Sequence, residues 1–168
     1  MEQIKGFTLI ELLVVVTIMM LFSGLSIAYF NEFTNKQKLD GIARNVIDVL
    51  ELAKKKADTG DSSLCAGVGI TPRVDKYSVV VSSSTEYKLV PTCLTGVPTS
   101  IPYPTLKSPI VFATPTLAVQ FSGLNIGASG AQCIKLQNSG DANKCTYINI
   151  QSTGLINLLS CTDTCPPP

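Results

Sequence analysis

An α+β fold follows from three features of this sequence. An almost uncharged apolar run extends from Phe7 to Phe30, helical periodicity continues after it, and short β-branched runs separated by turn residues fill the chain beyond residue 60. The expected architecture is a long N-terminal α-helix, transmembrane in its first half and amphipathic in its second, packed on a small antiparallel β-sheet domain. The boundaries read as a short leader over residues 1–6, an apolar helix over 7–30, its amphipathic continuation over 31–59 and a disulfide-bearing β-rich domain over 60–168.

The first element is FTLIELLVVVTIMMLFSGLSIAYF, with one charge, Glu11. As a helix it is long enough to cross a hydrocarbon core of about 30 Å. A secretory signal would have a shorter apolar core followed by a small-residue cleavage site, whereas here Lys5 and Gly6 lead straight into the run. An ionised carboxylate in hydrocarbon costs at least about 2–3 kcal/mol without a partner. Nothing cationic lies within the run itself, but a cut between Gly6 and Phe7 would create an α-amino group about one helical turn from Glu11. A neighbouring subunit's amine could then pair with it. A plain single-pass anchor with one acid near its end also fits, because such a side chain can snorkel. The carboxylate alone leaves both readings open.

Further along, Leu39, Ile42, Val46, Val49 and Ala53 recur at alternating spacings of three and four, one face of a helix destined for a core. Helix breakdown is expected near Thr59-Gly60-Asp61. The Lys54-Lys55-Lys56 run reads as a solvated helix end that suits the macrodipole, and no site is assigned to it.

Strands are expected at 64–70, 77–83, 87–93, 110–113, 118–121, 132–136, 146–151 and 156–159, joined as antiparallel hairpins. The proline-rich stretch TGVPTSIPYPTLKSP between Thr95 and Pro109 reads as a rigid connector rather than a strand. Cys65, Cys93, Cys133, Cys145, Cys161 and Cys165 all lie beyond the apolar run, as expected of an oxidised domain outside the cytoplasm. Six cysteines allow 15 pairings. The expected set is Cys133–Cys145 across a hairpin, Cys161–Cys165 in the tail, and Cys65–Cys93.

Composition narrows the function. The chain of 168 residues has room for about one domain, a net charge of +1 and no histidine. The commonest general base, and the triads that use it, are therefore missing, and no cofactor or metal is expected. Scattered serines with Asp61, Asp75 and Glu86 form no hydrolase motif. The chain is read as a non-enzyme.

Gly6-Phe7-Thr8-Leu9-Ile10-Glu11 resembles the cleavage and methylation motif of type IV prepilins and type II secretion pseudopilins. The resemblance implies a type IV pilin-like fold, cleavage after Gly6 by a prepilin peptidase, N-methylation of Phe7, and subunit registration through Glu11. One departure is Ala28 where many major pilins have proline, with Gly24 the nearest helix weakener. The domain, through Phe121-Ser122-Gly123 and Ser152-Thr153-Gly154, is similar to H-type minor pseudopilins and the related FimT-like minor pilins. That similarity implies two small sheets cupped on the helix and a low-abundance subunit near a filament tip. FimT-like proteins bind DNA through a basic C-terminal Gly-Arg motif. Here Leu155, Ile156 and Asn157 follow Gly154, and residues 160–168 hold no lysine or arginine. Lys135 and Lys144 could sit near each other on one hairpin, but two exposed lysines are ordinary surface, and nucleic acid is not expected as a partner.

The resulting expectation is a minor pilin or pseudopilin. Its partners are other subunits, the prepilin peptidase and an inner-membrane assembly platform. It is stored single-pass in the inner membrane, then joins an extracellular pilus or periplasmic pseudopilus. The alternatives are the major pilin and a tip module binding DNA or a surface ligand.

Overall fold

The computed structural model describes residues 7–67, 71–123, 127–130 and 133–161, without the side chains of residues 24–29, 31 and 32. The chain divides into two compact units, Met1–Lys38 and Leu39–Pro168. Among the described residues there is one helix, α1 (Leu9–Asp58). Its C-terminal end is closed by Gly60, whose positive φ of 62° suits the left-handed turn that stops a helix. Among the described residues no helix is long and apolar enough to cross a membrane. The described apolar side chains from Leu9 reach only Ser23, roughly 22 Å of helix at 1.5 Å per residue.

In the second unit α1 buries Leu39, Ala43, Val46, Val49, Leu50, Ala53 and Ala57. The expected stripe is corrected at one position, for Ile42 is only partly buried and Leu50 is fully so. The contact arc runs through Ala43, Leu50 and Ala57 because small alanines let the sheets approach that side closely, and a helix on sheets needs an apolar arc wider than one seam.

The β elements are β1 (Cys65–Ala66), β2 (Arg73–Val81), β3 (Tyr87–Thr95), β4 (Val97–Pro98), β5 (Ile101–Pro102), β6 (Ile110–Phe112), β7 (Leu117–Ser122), β8 (Ala128–Gly130), β9 (Cys133–Asn138), β10 (Asp141–Ile150) and β11 (Ile156–Ser160). All pairs are antiparallel. They form a five-stranded sheet ordered β5-β3-β2-β7-β8, a four-stranded sheet ordered β11-β10-β9-β6 and the β1-β4 pair. Period-2 alternation buries Tyr77, Val79 and Val81 of β2, Val119 and Phe121 of β7, Ile134 and Leu136 of β9, and Ile148 and Ile150 of β10 around the helix stripe. The α+β class and the antiparallel pairing agree with the sequence expectation.

Three differences stand out. The expected first strand shortens to Cys65–Ala66, with residues 68–70 outside the described residues. β8 forms where no strand is expected, a three-residue edge that ends in Gly130. The proline-rich stretch is not solely a connector, because β4 and β5 form within it and pair with β1 and β3. Each is two residues long and lies at a sheet edge, where a proline without an N–H removes no essential ladder bond.

The disulfides follow register. Cys65–Cys93 links β1 to β3 as expected. The pairing Cys133–Cys145 is replaced, because Cys133 lies opposite Asn149 and Cys145 opposite Gln137, so the two are far out of step on the hairpin. Thr146 faces Ser160 on β11, which brings the next pair, Cys145 and Cys161, together as a disulfide, and Cys161–Cys165 is thereby overturned as well. Cys133 is also disulfide-bonded. Cys165 lies outside the described residues.

At the end of α1, Lys56 Nζ donates to Asp61 Oδ2 and to Ser63 Oγ, and Tyr77 Oη donates to the Asp61 carbonyl. The Lys56 hydrogen bond, helped by the Ser63 N–H, holds the Asp61 carboxyl down to about 2 from 3.8. A depressed carboxyl adds stability that is complete above its unfolded value and fades as pH falls through the folded one. Thermal melts from about pH 5 to pH 2 are therefore expected to show wild type above Asp61→Asn at the upper end, with the gap closing as pH approaches 2.

Candidate functional site

In the first unit Phe7 and Thr8 lie just before the helix, which starts at Leu9. The Thr8 carbonyl accepts from the Leu12 N–H at 3.2 Å, which makes Thr8 the N-cap and Glu11 the third helical residue. Thr8 N–H and Thr8 Oγ1 donate to Glu11 Oε2 at 3.2 and 3.0 Å, and Glu11 N–H donates back to Thr8 Oγ1 at 3.4 Å. This reciprocal arrangement is a capping box. Its signal in the sequence is Thr8-x-x-Glu11 ahead of an apolar run, which gives Glu11 a local partner where charge alone calls for a cation. In this chain the carboxylate already has a neutral partner, and its place in the first turn also suits the positive end of the helix dipole.

A carboxylate offers about four acceptor positions. Both bonds from Thr8 fall on Oε2, so capping does not exclude a further donor. The geometry can therefore fix the carboxylate at the helix end and still present it to an incoming cation. Gly6, the residue before the expected cut, lies outside the described residues, as does the side chain of Ala28.

Beyond the cap, the surface of residues 7–22 is apolar and exposed, from Phe7 at 85% and Leu9 at 82% to Leu21 at 71%. Hydroxyls in and just after this stretch turn inward. Thr17 Oγ1 donates to the Leu13 and Val14 carbonyls, Ser23 Oγ to Met19 and Thr34 Oγ1 to Phe30, at 2.7–3.1 Å. Such back-bonding leaves few bare polar groups along this apolar surface.

In the second unit, Phe121-Ser122-Gly123 and Ser152-Thr153-Gly154 converge on the last turns of α1. A Cβ on Gly123 would stand 3.0 Å from the Ala57 carbonyl oxygen, and Lys54 Nζ donates to the Gly154 carbonyl at 3.0 Å. Ala128 N–H donates to the Ser152 carbonyl, and a Cβ on Gly127 would fall 1.8 Å from that same oxygen, so only glycine fits there. These phrases serve packing. Lys54 and Lys56 have internal partners, where the sequence predicts a solvated helix end. Lys135 sits 5.8 Å from the Tyr147 ring centre and Lys144 pairs with Asp141 at 3.9 Å, so these two lysines have separate partners. Among the described residues no group of three or more His, Cys, Asp or Glu side chains could hold a metal ion.

The N-terminal helix thus carries a capped carboxylate and an exposed apolar surface, and a disulfide-bonded β domain follows it. The family model described as the prokaryotic N-terminal methylation motif matches residues 1–27. The match supports the resemblance of this N-terminal segment to the processing motif of type IV pilin-like and pseudopilin precursors. No curated protein and no solved structure is significantly similar to the chain.

Proposed function

We propose that the chain is a minor pilin or pseudopilin. In this reading the peptidase cuts after Gly6, Phe7 is N-methylated, and residues 7–30 are stored as a single-pass span of the inner membrane. They are then drawn into a filament, where Glu11 meets the amine of a neighbouring subunit and sets the register. The type IV pilin-like fold, and the kinship with H-type pseudopilins and FimT-like pilins, belong to this same proposal. The supporting observation is the exposed apolar surface beginning at a capped carboxylate. A surface of that extent is not tolerated in water and calls for lipid or neighbouring helices. Its length as a span rests on the sequence, in which the apolar character continues from Ser23 to Phe30.

Mass spectrometry on sheared surface filaments and on membranes tests the proposal. A methylated Phe7 terminus with oxidised cysteines, at trace abundance beside other pilins, is the expected result. Dominant abundance would make the chain the major subunit, and an intact Met1 in a processing-competent cell would reduce it to a plain anchor.

A further inference from the structure

A second site lies far from the N-terminal motif in sequence, wholly within residues 42–107. A cavity of about 510 Å³ opens between the helix residues Ile42, Asn45, Asp48 and Val49 and the proline-rich stretch Tyr103–Lys107. That volume falls in the range of about 300–1,000 Å³ usual for small-molecule sites. Its wall is preformed. Tyr103 stacks on Tyr87 at 5.5 Å with 9° between planes, and Phe112 meets Tyr87 edge-on at 5.8 Å. Tyr103 N–H donates to the Tyr87 carbonyl, and Leu106 N–H to the Thr85 carbonyl at 2.8 Å, so Pro104 and Thr105 are held between two anchors. A stretch whose prolines looked like those of a connector thereby becomes a rigid wall.

The chemistry of the lining selects a ligand class. Tyr103 offers part of an aromatic ring at the opening, while exposed Asn45, Asp48 and Thr105 offer a carboxamide, a carboxylate and a hydroxyl. Such groups bond to alcohol hydroxyls in both directions. Asp48 and Lys107 carry opposite single charges, so the rim favours neither an anion nor a cation. A nucleic acid needs several cations for its phosphates, and a purely apolar ligand would leave the polar rim without partners. We infer that this cavity binds a neutral saccharide, one sugar face against Tyr103 and its hydroxyls on Asn45, Asp48 and Thr105.

Saturation-transfer difference NMR on the full chain tests this. The detergent must not be an alkyl glycoside, since its headgroup would compete. The probes are glucose, galactose, N-acetylglucosamine and their β-linked disaccharides, with an oligothymidylate as the competing class. Saturable transfer to the ring protons of at least one saccharide is expected, weakened about tenfold by Asp48→Ala through loss of a hydrogen bond to a charged acceptor, and abolished by Tyr103→Ala. Asp48 is exposed, so its variant keeps the fold and decides the question if Tyr103→Ala does not. No transfer to any saccharide, equal transfer in Asp48→Ala, or transfer only to the oligothymidylate would each overturn the assignment.

Discussion

Glu11→Ala is expected to leave leader cleavage intact while reducing incorporation into filaments by about tenfold or more, the scale set by losing one partner of an ion pair in hydrocarbon. The capping box makes a sharper comparison available. Glutamine at the third helical position also completes a capping box, so Glu11→Gln keeps the bonds that Thr8 N–H and Oγ1 donate to the carboxylate and removes only the charge. If registration depends on an amine meeting the carboxylate, Glu11→Gln will fail like Glu11→Ala. If Glu11→Gln assembles normally, the residue acts through helix capping and the registration role falls. Subunit content of sheared filaments, compared with processed protein remaining in membranes, distinguishes the two.

Leu50→Ala is expected to destabilise the second unit by about 2–5 kcal/mol, and Leu52→Ala by less than about 0.5 kcal/mol. The two leucines are two residues apart on α1, yet Leu50 is fully buried and Leu52 is 38% exposed. Truncating Leu50 opens a cavity in a core cluster whose other members, such as Phe121, Ile134 and Ile148, are themselves fully buried and held by sheet pairing and so relax only partly. Denaturant unfolding of the full chain in micelles, followed by far-ultraviolet circular dichroism, gives both values. Equal effects at the two positions would mean that the helix face is wrongly assigned.

Some of this was legible in the sequence because it depends on local pattern. The helix and its end near Gly60, the strands around Val79, Leu89, Val119 and Ile148, and the turns between them follow from period and from turn chemistry, which act over a few residues. Thr8-x-x-Glu11 is equally local, a capping pattern carried by residues three positions apart. Other features needed partners that sequence does not supply. Ile42 and Leu50 are both apolar, and which one enters the core depends on where the sheets lie against the helix. Prolines in β4 and β5 are compatible with strands only because those strands fall at sheet edges.

By itself, the sequence determined that the chain has an N-terminal helix with an apolar surface, followed by an antiparallel domain rich in cysteine, since composition and short-range spacing carry those properties; the N-terminal motif rests on its resemblance to a known family. Only the tertiary structure decided that Cys145 joins Cys161, because strand register sets which side chains face each other and a bulge between Asp141 and Cys145 shifts that register. It also decided that Tyr87, Tyr103 and Asp48 border one cavity. Asp48 meets residues 39 and 55 positions further along the chain there through the packing of a helix against a loop anchored to β3, which no spacing along the chain encodes.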